Sequence, residues 1–231
     1  MRNEEALFSK RRAQMVEEQL RHEGIRDRAV LQAMNRVARE CFVPEVYQDQ
    51  AYADGPLPIA AGQTISQPFI VAYMISALAI KATDRVLEIG TGSGYEAAVL
   101  SLIAREVFSV EREAQLAQEA QQRLGQLGYR NVQVHHGDGT LGWAEHAPYD
   151  GIVVSAGGPG VPSALRQQLA VKGRLIMPVG RYPHHQRLIK MTRMSDDDFK
   201  EVRLKDVSFV PLIGAEGWAD ADEPWWGYFG G

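Results

Sequence analysis

Residues 85–95 read RVLEIGTGSGY: a short aliphatic run that breaks into three glycines alternating with small polar residues. A buried strand ending in a glycine turn, with a helical stretch beginning at Tyr95, is the opening of a βαβ unit. Working outward, EVFSVE (106–111), VQVHHG (132–137), GIVVSA (151–156) and GRLIMPVG (173–180) read as further strands. Between them lie helix-length stretches, over about 113–127 and 163–169. Strands joined by such crossovers form a parallel sheet with helices on both faces. The fold class is therefore α/β, a doubly wound, mostly parallel, Rossmann-like sheet. LIKMTRM (188–194) and VRLKDVSFVPL (202–212) read as an antiparallel edge, with an acidic turn over 195–200 between them.

Upstream, Met15, Val16, Gln19 and Leu20 fall at helical spacing, and Asp27 is placed to cap a helix with Val30, Leu31 and Met34 on one face. Pro44, Pro56 and Pro58 then interrupt the pattern. With 231 residues the chain reads as one domain: a helical and loop-rich flank over 1–81, an α/β core with edge strands over 82–214, and an aromatic tail over 215–231.

The formal net charge of −4 offers no basic surface for a nucleic acid. No apolar run reaches the ~18 residues of a membrane span, and the acidic start MRNEEALFSKRR does not read as a secretory leader. Cys41 is the single cysteine, which excludes an internal disulfide and suits a reducing, cytoplasmic setting. No metal site is expected: His135 and His136 alternate across a strand, and His184 and His185 read as loop residues. Oligomeric state is not legible.

Ligands of such sheets bind outside the carboxyl ends of the strands, and four strand ends here carry polar or glycine residues. The first offers Glu88 and the turn glycines Gly90, Gly92 and Gly94, where backbone can approach a ligand ahead of a helix N-terminus. The second ends in Glu111, 111 − 90 = 21 residues after the first glycine, the spacing of a ribose-diol acceptor. Asp138 and Gly139 end the third, with Asp138 suited to an exocyclic adenine amine, and Ser155 ends the fourth. An adenosine-type ligand fits this series. The glycines run G-x-G-x-G, with Tyr95 where the dinucleotide fingerprint has its last glycine, and Glu88 would repel a pyrophosphate. The cationic sulfonium of S-adenosylmethionine avoids that conflict; a dinucleotide enzyme and a purely structural turn are the other readings of the glycines.

A second polar knot, GQTISQP (62–68), precedes an apolar segment in which Ile70, Tyr73, Met74, Ala77 and Leu78 recur at helical spacing, with Pro68 in the first turn. Ser66 is either a helix cap or part of a site that holds a carboxylate beside the methyl donor, as helix N-termini hold anions.

Taken together, these segments resemble the protein-L-isoaspartate O-methyltransferase family. The resemblance runs from about Met15 to about Gly214 and includes VLQAMNRVARECFVP (30–44), AYADGPLPIAAGQTISQP (51–68), VLEIGTGSGYEAAVL (86–100), HHGDGTLG (135–142) and VSFVPLIG (207–214). It implies methyl transfer from S-adenosylmethionine to the α-carboxylate of L-isoaspartyl residues in damaged proteins and peptides, with Ser66 as the active-site serine. Cofactor contacts are implied at Glu88, Gly90, Gly92, Gly94, Glu111, Asp138, Gly139 and Ser155, and substrate contacts at Thr64, Ile65, Gln67 and Val210. Methylation of a small molecule or RNA, or an inactive cofactor-binding scaffold, are the rival readings. Two departures stand out: VARE (37–40) where the family has VPRE, and SAGGPG (155–160), which predicts a looser loop after the fourth strand.

Overall fold

The computed structural model describes residues 2–182 and 185–219; His184 and most of the aromatic tail lie outside the described residues. Helix α1 (Arg2–Gln14) runs directly into a π-helical stretch (Met15–Arg21) that buries Met15, Val16 and Leu20. α2 (Arg28–Arg36) starts where expected: Asp27 Oδ1 accepts from the amides of Ala29 (2.9 Å) and Val30 (3.2 Å), a cap that stabilises a helix by about 1 kcal/mol. Two short antiparallel strands, β1 (Leu57–Pro58) and β2 (Thr64–Ile65), flank a turn and lead into α3 (Pro68–Leu78).

α3 differs from its expected amphipathic form. Phe69, Val71, Ala72, Met74, Ile75 and Leu78 are buried, while Ile70, Tyr73 and Ala77 are only half-buried. The helix lies between α2 on one side and sheet strands on the other, and a helix covered on several sides is apolar nearly all round.

The sheet comprises β3 (Arg85–Ile89), β4 (Glu106–Glu111), β5 (Val132–His136), β6 (Tyr149–Val154), β7 (Leu169–Tyr182), β8 (His185–Arg193) and β9 (Phe199–Val207), with α4 (Tyr95–Ser101), α5 (Ala114–Gln126) and α6 (Ser163–Gln168) as crossovers. Their order is β5-β4-β3-β6-β7-β8-β9. The first five are parallel, and β8 and β9 form the antiparallel edge. The order reverses between β3 and β6, the switch point at which a ligand crevice opens. His185 sits in β8 rather than in a loop.

Alternation along β3 decides what faces the ligand. Val86 belongs to the buried cluster shared with α2, α3 and α4, whereas Leu87 and Ile89 belong to the cluster on the opposite face. Glu88 shares the parity of Val86.

β9 ends at Val207, earlier than the predicted strand. The buried side-chain amide of Gln186 takes over the next rung: its Nε2 donates to Phe209 O (3.1 Å) and its Oε1 accepts from Phe209 N (2.7 Å). Residues 208–212 therefore leave the sheet and cross its carboxyl end, where Gly157 N donates to Val210 O and Leu212 N donates to Gly157 O. β9 itself is the outer strand, with Lys200, Glu201, Arg203, Lys205 and Asp206 exposed along it. Among the described residues, no helix is long and apolar enough to cross a membrane.

Candidate active site

Two cavities open at the carboxyl end of the sheet and share a wall. The inner one lies over the ends of β3, β4 and β6 and is lined by Gly90, Gly92, Glu111, Gly139 and Ser155, among others. The outer one, about 740 Å³, runs between the β1–β2 turn and the 206–210 segment. Gln63, Thr64, Ser66, Ser155 and Val210 line both. The two predicted halves thus meet at Ser66.

The glycine turn needs its glycines. Gly90 and Gly92 adopt left-handed φ of 92° and 52°, a region L side chains rarely enter. Gly92 N donates to Glu111 Oε2 (2.8 Å) and Glu113 N to Glu111 Oε1 (2.9 Å). Glu111 is thereby fixed at the cavity wall, each oxygen keeping a lone pair for a diol. Gly139 is required for a different reason: a Cβ there would stand 2.4 Å from Ile89 Cγ2.

Three expected cofactor residues lie elsewhere. Gly94, with φ 89°, begins α4 and packs against Leu124 of α5. Glu88 is fully buried on the α4 face and absent from the cavity wall. Its Oε2 accepts from Ser109 Oγ (2.5 Å), which is hydrogen-bonded in turn to Thr91 Oγ1, and its Oε1 has no partner. Burial, with the nearby Glu96 carboxyl, raises its pKa well above the ordinary carboxylate value. Asp138 caps the short turn at Gly139–Leu141, also outside the wall. Its Oδ1 accepts from Thr140 N and Oγ1, and its Oδ2 from Ala215 N (2.7 Å). Partial burial pushes its pKa up, but these donors outweigh that and leave it below the usual range. Asp138 therefore fastens the 214–215 segment beside Gly139.

On the substrate side, Thr64 is exposed and Ile65 buried, both at the cavity wall. Gln67 lines the outer cavity and donates to Asp54 Oδ1 (2.7 Å). Ser66 is not a cap: Gln67 holds the N-cap position of α3, and no side chain caps that helix. The carbonyl of Ser66 accepts from Arg39 Nη2 (2.8 Å), while Arg39 Nε donates to Ala51 O (2.7 Å). Arg39 is completely buried, lies 4.7 Å from the centre of the Tyr95 ring, and has its pKa lowered by desolvation. It ties the serine loop to the helix that follows the glycine turn. Val210 forms the opposite wall.

The SAGGPG loop is not loose. Gly157 is held by Val210 and Leu212, its carbonyl also accepts from Trp218 Nε1 (2.9 Å), and Gly158 N donates to Pro178 O. A Cβ at Gly157 would lie 2.1 Å from Gln186 Nε2 and one at Gly158 2.5 Å from Met177 Cε. Glycine lets the loop approach this closely.

Glu96 was not singled out by sequence reasoning, because an acidic residue in a helix's first turn ordinarily just complements the dipole. It lines the inner cavity, its Oε2 accepts from Ser155 Oγ, and its Oε1 has no partner. Burial raises its pKa to about 7.

Comparison with known proteins shows the family. The family model for protein-L-isoaspartate(D-aspartate) O-methyltransferase matches residues 10–217. A protein-L-isoaspartate O-methyltransferase from Pelobacter propionicus is 60% identical over 90% of this chain and 92% of its own. One from Rhodopseudomonas palustris is 56% identical over 94% of this chain and 89% of its own. A solved protein-L-isoaspartate O-methyltransferase superposes with a TM-score of 0.82 at 29% identity, covering 89% of this chain and 67% of that one. A Plasmodium falciparum structure described as a putative protein-L-isoaspartate O-methyltransferase, in complex with S-adenosyl-L-homocysteine, gives 0.74 at 26%, covering 87% and 98%. The chain belongs to the protein-L-isoaspartate(D-aspartate) O-methyltransferase family.

Proposed function

We propose that this protein methylates the α-carboxylate of L-isoaspartyl residues in damaged proteins and peptides. One observation carries the reading: Ser66 sits where the inner and outer cavities join. The inner cavity suits S-adenosylmethionine. Its glycine cradle admits a ligand against the backbone, Glu111 presents a carboxylate to a diol, and Glu96, which also lines it, keeps one buried carboxyl oxygen without a partner. When bound, the cofactor supplies a methyl group on a cationic sulfur.

The chain's own residues then have a modest task. The substrate carboxylate is already ionised at neutral pH, with a reference pKa of about 4, so no general base is required. Positioning is the main contribution. The Ser66 hydroxyl, which makes no hydrogen bond within the described chain, is available to donate to a carboxylate oxygen. The start of α3 adds a positive dipole end free of side-chain caps. The outer cavity, walled by Ile59, Ile70 and Val207–Val210, accepts the flanking segment of a flexible polypeptide.

The decisive test is methyl transfer to an isoaspartyl peptide and its normal aspartyl twin. Labelling of the isoaspartyl peptide alone is the expected result; equal labelling of both refutes the assignment. Ser66→Ala is expected to lower kcat/KM on the order of 10- to 100-fold, the value of one hydrogen bond to a charged group. Unchanged turnover would instead favour a small-molecule or RNA substrate.

A further inference from the structure

We infer that Glu96 is the residue through which the inner cavity reads the positive charge of its cofactor, so that binding S-adenosylmethionine expels a proton from Glu96. The inference rests on the cofactor reading above and concerns a residue no comparison singles out.

Glu96 is 7% exposed and lines the cavity on the first turn of α4. Ser155, from the end of β6, donates to one carboxyl oxygen; the other is buried without a partner. The charged groups around it are mixed in sign: Arg112 and Glu113 line the same cavity, and the buried Arg39 lies 4.7 Å from the ring centre of the neighbouring Tyr95. Glu88, beneath it on β3, is fully buried, with an orphaned oxygen of its own, and Glu111 stands at the end of β4. Neither Glu88 nor Glu96 forms an ion pair among the described residues. Two buried carboxyls with no cation between them cannot both ionise cheaply. A buried acceptor oxygen left unsatisfied is costly, and protonation of its carboxyl lowers that cost. Ser155 donates its single proton to Oε2, so Oε1 stays buried with its acceptor capacity unused.

The sulfonium and ammonium of S-adenosylmethionine are the cations the cavity would receive. Bringing either to Glu96 stabilises the ionised carboxyl. The O–H bond breaks, its electron pair stays on oxygen, and the proton passes to buffer. Because the cofactor-free group sits near pKa 7, binding strengthens as pH rises through that value and levels off above it. Between pH 8 and pH 6 this weakens the cofactor by about tenfold.

The test is calorimetric and needs no turnover. S-adenosylmethionine is titrated into the wild type and Glu96→Gln at pH 6, 6.5, 7 and 8, in two buffers of different ionisation enthalpy. The wild type is expected to release a large part of a proton at pH 6.5 and to show the tenfold trend; Glu96→Gln should release essentially none beyond the cofactor's own amine and bind with a flat profile. S-adenosyl-L-homocysteine separates the sources of charge: the same trend assigns the ammonium, a flat one the sulfonium. Ser155→Ala is the second variant. It removes the donor that favours the ionised form, so the midpoint should move to higher pH. If Glu96→Gln keeps the wild-type trend, or Ser155→Ala leaves the midpoint in place, the assignment of Glu96 falls alone. If the wild type binds the cofactor at no pH, the cofactor reading falls with it.

Discussion

The cofactor half and the substrate half of this site are built in opposite ways. The part of the inner cavity that the outer one does not share is assembled largely from strand ends, where backbone turns at Gly90, Gly92 and Gly139 follow directly from sheet order. The outer cavity is assembled from segments far apart in sequence, the 56–67 loop and 206–210, and each is held by a buried side chain acting on backbone. Arg39 grips the Ser66 carbonyl, and Gln186 substitutes for a strand at Phe209. The lesson is that one half is fixed by topology and the other by two polar side chains, so the halves should fail separately.

Arg39→Met offers the harshest trial of that separation. It leaves the carbonyls of Ser66 and Ala51 without a donor, a cost on the order of 1–3 kcal/mol for each buried group. Thermal unfolding should show a loss of several degrees, and the peptide KM should rise. Calorimetric cofactor affinity should stay within about twofold, with Arg39→Lys recovering part of the loss. Simultaneous collapse of cofactor affinity in the folded variant would show that the halves are one unit.

Gly157→Ala comes next. Its new methyl meets the Gln186 amide, and overpacking of this kind costs about 1–3 kcal/mol. The displaced clamp should raise the peptide KM while Gly139→Ala, at the other half, weakens the cofactor instead. A swap of those two phenotypes breaks the comparison.

A smaller effect belongs to pH. A carboxyl raised to about 7 in the folded state holds its proton where the unfolded chain has lost it. Its contribution to stability is therefore present below the ordinary value near 4.5 and is lost as pH rises through 7. The melting temperature of the cofactor-free protein should fall over that window, and Glu96→Gln should flatten the fall. Smallest of all, Asp27→Ala should cost about 1 kcal/mol in denaturant unfolding and leave both halves untouched.

Much of the inner half was legible because period-two strands and a glycine turn are local signals. Glu88 and Asp138 escaped that logic for two different reasons. The parity of β3 turns Glu88 toward α4, and Asp138 is engaged by Thr140 and by Ala215, which is 77 positions away. Ser66 was singled out through resemblance, since spacing alone also allowed a cap. Arg39, Gln186 and Glu96 were not singled out because their roles exist only once remote segments meet. The end of β9 at Val207 was invisible for the same reason: a side chain, rather than a breaker residue, ends the pairing.

The charged outer strand has a bearing on the company such an enzyme keeps. Ageing polypeptides that have begun to unravel offer sticky extended segments, and a smooth apolar rim would recruit them by continuous hydrogen bonding. Lys200, Glu201, Arg203, Lys205 and Asp206 make that rim inhospitable, so a molecule that handles failing proteins is guarded against seeding their clumping.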